Sequence, residues 1–92
     1  MKKIVLEGNM FVDSETTHKI LKELFEFPDY YGKNLDAFWD CLTDWYVGEK
    51  AHIVWKDFNI SKENLGEDAD IMLEIFNRAQ NQYGDFIIEV IP

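Results

Sequence analysis

Cys41 is the only cysteine in the 92 residues. No intramolecular disulfide can form, which excludes the stapled mini-domains of secreted proteins. Long apolar runs are missing too. The stretch after Met1-Lys2-Lys3 stops at Leu6, and Glu7, Gly8 and Asn9 follow. A signal peptide needs an apolar stretch of about 7–15 residues and a membrane span roughly 18. The chain is therefore expected to be soluble and cytoplasmic, with a reduced thiol and no membrane role. Positive charge is the third scarcity: nine Lys and Arg stand against eighteen Asp and Glu, a net charge of −9. Such a chain repels phosphate, so general DNA or RNA binding is excluded and any charge-driven partner should be basic.

What is present is enough for a packed core. Apolar residues make up 47% of the chain and include seven Phe, four Tyr and three Trp, a composition that excludes disorder. The length predicts one domain over residues 1–92. The five glycines, at positions 8, 32, 48, 66 and 84, fall between patterned segments and mark connections. Strands are predicted at Lys2–Glu7, Ala51–Trp55 and Phe86–Ile91. Asp13-Ser14 opens a helix with Ile20, Leu21, Leu24 and Phe25 at helical spacing, stopped by Pro28. A second helix runs from Asn34 to about Trp45, and a short helical turn covers Ser61–Leu65. The clearest helix spans Asp68 to about Tyr83, with Ile71, Leu73, Ile75, Phe76 and Ala79 as apolar positions. Strands separated by helices predict an α/β fold: a small three-stranded parallel sheet with about four helices, covered mainly on one face.

Pro28–Trp45 carries the chemistry. On its helix Leu35, Phe38, Leu42 and Trp45 form an apolar stripe, while Asp36, Asp40 and Asp44 line the opposite side with Trp39 and Thr43 beside them. Like charges at i, i+4 each cost a helix a few tenths of a kcal/mol, and no basic residue lies within the helix to relieve them, Lys33 lying just before it. Asp40 and Asp44 also sit towards the C-terminal end, where the helix dipole disfavours anions. A solvated acidic face shows the same spacing. Tyr30, Tyr31, Gly32 and Trp39 beside the acids suit an interface instead, because Tyr and Trp are enriched there.

The run Pro28-Asp29-Tyr30-Tyr31-Gly32-Lys33-Asn34-Leu35-Asp36-Ala37-Phe38-Trp39-Asp40-Cys41-Leu42-Thr43 resembles the signature of the barstar family, intracellular inhibitors of the secreted bacterial ribonuclease barnase. The likeness extends over essentially the whole chain, with further matches at Trp55, Phe58, Leu73–Ala79 and the last strand. The resemblance implies the same small parallel sheet, no enzymatic activity, no cofactor or metal, and a monomer that forms a 1:1 complex with a basic bacterial ribonuclease of the barnase type. It implies that the second helix and the loop before it plug the enzyme's active site by phosphate mimicry. Asp40 matches the acid placed in the catalytic phosphate pocket, Asp36 a second acid paired with a basic residue, and Tyr30 a ring stacked on the catalytic histidine. Gly32, Asn34, Leu35, Trp39 and Thr43 match other contact positions, with Trp45 at the edge. Asp44 stands where the family has glycine and adds a charge to the face. Arg78 falls on a remote contact acid of the family, the loop Tyr46–Lys50 is longer by about one residue, and a second family cysteine is missing.

Two other readings fit parts of the pattern. Asp36 and Asp40 as an acid/base pair would need to face each other across a cleft, and a helix face does not provide one. His18 and His52 stand apart in sequence and read as a surface helix residue and a strand residue, neither a metal ligand. Cys41 reads as a small core residue, not a nucleophile. The other alternative is an immunity or binding protein for a different basic toxin domain, favoured by Arg78 and Asp44.

Overall fold

A computed structural model describes residues 2–45 and 50–92, with Trp45 described by its backbone alone. In strand β1 (Lys2–Glu7) the two lysines and the glutamate are exposed while Ile4 and Leu6 are buried. A 3₁₀ turn at Gly8–Met10 leads to helix α1 (Ser14–Phe25). The side chain of Asp13 caps α1 by accepting from the Thr16 N–H at 2.7 Å. Glu26, in the left-handed region at φ 55°, ends the helix. The stop thus comes two residues before Pro28, at a helix C-cap rather than at the proline ring. A short helix α2 (Leu35–Asp40) follows, continued by a π-helical turn at Cys41–Trp45.

After β2 (Ala51–Lys56), α3 (Phe58–Leu65) and α4 (Glu67–Tyr83) lead into β3 (Phe86–Val90). Here α3 is a full helix of eight residues where only a short turn was expected. Gly66 at φ 62° and ψ −134° ends α3 and begins α4, a conformation that only glycine adopts without strain. Glu67, Asp68 and Asp70 occupy the first turn of α4, where the helix dipole favours them.

The three strands are parallel in the order β1-β2-β3. Both crossovers step the chain in the same direction, so connections of the same hand put their helices on the same side. In register, Ile4, Ile53 and Ile88 form one row under the helices, and Leu6, Trp55 and Val90 the next. The other face carries Lys3, His52 and Ile87, then Val5, Val54 and Glu89. One-sided cover is thus what the sheet shows, although Val54 is buried even on the open face.

An aromatic chain joins the layers. Trp55 of β2 meets Phe76 of α4 edge-on at 6.2 Å between centroids, and Phe76 meets Phe38 of α2 at 5.2 Å. Phe25 and Phe27 close round Phe38 at 6.5 and 6.1 Å. On α4 the buried stripe is Ala69, Met72, Ile75, Phe76 and Ala79, while Ile71, expected inside, is 39% exposed. Among the described residues no helix is long and apolar enough to cross a membrane.

At the end of β1 the backbone passes so close to α3 that only glycine fits: a Cβ on Gly8 would run into the Lys56 carbonyl and the Ser61 hydroxyl. Buried Ser61 accepts from the Trp55 indole N–H at 3.0 Å and donates to the Gly8 carbonyl at 2.9 Å. Ser61→Ala leaves both groups buried without that partner. It should lower unfolding free energy by about 1–3 kcal/mol in urea titration, and a change under 0.5 kcal/mol would contradict this account.

Candidate functional site

The loop between α1 and α2 is built to hold one tyrosine in and one out. Phe27 stacks on Phe25 at 5.5 Å and meets Tyr31 at 4.9 Å. The Tyr31 N–H donates to the Pro28 carbonyl, closing a tight turn. Tyr31 is buried, whereas Tyr30 is 76% exposed at the tip. Burial of the Tyr31 phenol raises its pKa well above the ordinary value, so it keeps its proton. Its oxygen lies 2.6 Å from His18 Nδ1, a buried hydrogen bond whose donor is set by the imidazole tautomer. His18 is 3% exposed, which overturns its reading as a surface residue. It shares a face of α1 with Leu21 and Phe25, at i, i+3 and i+7, a spacing that points to the core once an interior partner exists. Burial lowers the His18 pKa, against a smaller opposing effect of the Asp68 charge.

Asn34 starts α2. Its side-chain oxygen accepts from the Ala37 N–H at 2.8 Å, and its amide reaches the Gly32 carbonyl at 3.4 Å. Lys33 just before it has φ 53°. A Cβ on Gly32 would approach the Ala37 methyl at 3.3 Å, so glycine lets the loop fold tightly against the helix. With Phe38 and Leu42 fully buried, Asp36, Asp40 and Asp44 point outward. The π turn carries Asp44 one turn past Asp40 and keeps it exposed.

Two concavities run along this acidic face. One, of about 140 Å³, is lined by Tyr30, Asp40, Cys41 and Asp44. The other, of about 480 Å³, lies between α2 and α4 and is lined by Leu35, Asp36, Trp39, Asp40, Ile71, Glu74, Ile75 and Arg78. Trp39 is half-buried and packs on the core, with the Arg78 guanidinium 5.2 Å above its ring. Arg78 Nη2 also donates to Glu74 Oε1 at 3.0 Å. Burial, followed by the Asp40 and Asp44 charges, raises the Cys41 pKa and keeps the thiol neutral.

The expected contact residues are brought together unequally. Tyr30, Gly32, Asn34, Asp36, Asp40 and Asp44 are exposed, and Leu35 and Trp39 half-buried. Thr43, expected beside the acids, is buried instead: its hydroxyl donates to the Trp39 carbonyl at 2.8 Å. The expectation assumed an unbroken α-helix, and the π turn changes the register there. The Trp45 side chain and positions 46–49 of the loop lie outside the described residues. Among the described residues no group of three or more His, Cys, Asp or Glu could hold a metal ion.

A family model described as Barstar (barnase inhibitor) matches residues 1–90. The chain belongs to the barstar family. A Bacillus subtilis (strain 168) protein named as a candidate ribonuclease inhibitor, YrdF, is 46% identical over 85 residues, covering 92% of each chain. Barstar membership makes this chain an inhibitor protein rather than an enzyme. Within the barstar fold, the sequence reading missed the buried His18–Tyr31 contact and the Glu74–Arg78–Trp39 cluster, because each joins elements distant in sequence.

Since the His18 pKa is lowered on folding, the unfolded chain binds the extra proton first. Stability is full above about pH 6.5 and falls as pH drops towards the folded value, by up to about 1.4 kcal/mol per pH unit in that window, and no further below it. Urea unfolding between pH 5 and 7.5 should show this slope, and His18→Gln should flatten it whatever its own cost. An equal slope in the variant would assign the dependence to other groups.

Proposed function

We propose that this chain inhibits a secreted ribonuclease of the barnase type by seating the Asp36–Asp40–Asp44 face and Tyr30 in the enzyme's active site. The observation that carries the reading is one continuous exposed surface: Asp40 lines both concavities, shared with Asp44 and Tyr30 on one side and with Asp36 on the other. A ribonuclease gathers Arg, Lys and His to stabilise charge on phosphate. Carboxylates one helical turn apart imitate successive phosphates there and gain charge-assisted hydrogen bonds. Asp40 takes the central pocket, Asp36 a neighbouring cation, and Tyr30 offers a ring face. Leu35, Trp39, Gly32 and Trp45 supply surrounding contact. Asn34 and Thr43 contribute by fixing the backbone of α2 and the π turn, as their hydrogen bonds support. The chain acts in the cytoplasm as a monomer forming a 1:1 complex, its net charge of −9 speeding encounter with a basic partner. The second reading keeps the face but supplies a different basic toxin domain, and Arg78 within the same groove is what favours it.

A fluorogenic RNA-cleavage assay with barnase-type ribonucleases tests this reading. The wild-type chain should inhibit at nanomolar to micromolar concentration. Asp40→Ala, which strands cations of the enzyme without their partner, should weaken inhibition by more than about 100-fold. The association rate should fall steeply between 50 and 500 mM salt, where the Debye length shrinks below roughly 10 Å. Inhibition unaffected by Asp40→Ala would sink the mechanism, and inhibition of none of these enzymes would favour the other toxin.

A further inference from the structure

The groove between α2 and α4 has a polarity that phosphate mimicry does not use. Its lining combines apolar Leu35, Ile71 and Ile75 with the acids Asp36, Asp40 and Glu74, and Arg78 is the cation among its lining residues. The groove shares Asp36, Trp39 and Asp40 with the inhibitory face, so a protein seated on Asp36 and Asp40 covers Arg78 as well. A guanidinium carries five N–H donors and no acceptor. One of those donors is engaged with Glu74 Oε1, while the planar group lies over the Trp39 ring and about half of the side chain is exposed. Two contacts thus hold the fork in place before a partner arrives, which lowers the ordering cost of using its remaining donors.

Resting on the ribonuclease reading, we propose that this groove is the selectivity end of the interface, and that its occupant is a carboxylate side chain of the inhibited enzyme received by Arg78. Covered by a uniformly basic surface, Arg78 would face like charge with most of its donors stripped of water, a penalty that discriminates against such enzymes. A backbone carbonyl would engage one donor and leave the others stripped of water with no acceptor. A carboxylate accepts two parallel N–H bonds from the fork and adds a second countercharge beside Glu74. The partner that fits this chain therefore has a basic active site and an acidic residue on the rim that meets α4.

The test uses whichever barnase-type ribonucleases the wild-type chain inhibits, with association and dissociation rates measured by stopped flow and competition. Arg78→Gln should speed dissociation by about 10-fold or more and Arg78→Glu by about 100-fold, with smaller changes in association rate. Arg78→Lys, which keeps the charge but not the fork, should fall between wild type and Arg78→Gln. Replacing one acidic rim residue of the enzyme with arginine should restore binding to the Arg78→Glu chain, and that residue is the occupant. Unchanged or tighter binding by Arg78→Gln and Arg78→Glu would overturn the proposal, showing that Glu74 alone neutralises Arg78. The absence of any rescuing enzyme substitution would overturn it too. Asp40→Ala run in parallel separates the two failures. If it weakens binding while Arg78 variants do not, only the groove assignment falls; if it has no effect, or nothing is inhibited, the ribonuclease reading falls and takes this inference with it.

Discussion

Phe38 is the residue on which the presentation of the acidic face depends. Helix α2 has six residues, far fewer than the roughly 12–15 an isolated helix needs to be even marginal in water. It carries aspartates at i and i+4, which works against it further. Its persistence must come from outside, from the Phe38 ring held among Phe25, Phe27 and Phe76 and from the Asn34 cap. Edge-to-face aromatic contacts have preferred geometry, so the ring fixes the rotation of the helix as well as its position. With that rotation set, Asp36 and Asp40 have one direction to point. Burial of a ring inside and placement of carboxylates outside are two consequences of one packing event.

The loop before α2 is governed in the same way. Tyr31 is anchored below by His18 and Phe27, and Tyr30 stands out because its neighbour is held in. The rigidity of the tip therefore rests on a buried contact between the loop and α1. Such an arrangement fixes the loop in the free chain, and a preorganised surface loses less entropy on any association. The aspartates gain nothing from one another in the free chain. Among the described residues no ion pair engages Asp36, Asp40 or Asp44. Arg78 breaks the uniformity of the acidic surface, and its contacts with Glu74 and Trp39 hold it beside α2.

Much of the fold was legible in local pattern. The sheet is β-strand where apolar residues crowd between glycines, and β1 begins and ends at the expected residues. Helix α1 opens at Asp13 because a capping side chain is a local signal. Failures came where the deciding contact was distant. Nothing within Cys41–Trp45 announces a π turn or the burial of Thr43 inside it. The full length of α3 was hidden because Phe58 reads as a loop residue until its ring is seen 4.8 Å from Trp55.

The sequence by itself determined the excess of acids, the spacing that puts Asp36 and Asp40 on one helix face, the parallel α/β arrangement and the family to which they belong. These are legible because charge is additive, and because helix and strand periods act over a few neighbouring residues. Tertiary structure alone decided that His18 is a core residue bound to Tyr31, that Tyr30 rather than Tyr31 is exposed, and that Arg78 of α4 lies on Trp39 of α2. In each case the partners are brought together by packing across many residues of chain, and whether a polar side chain is buried depends on finding such a partner.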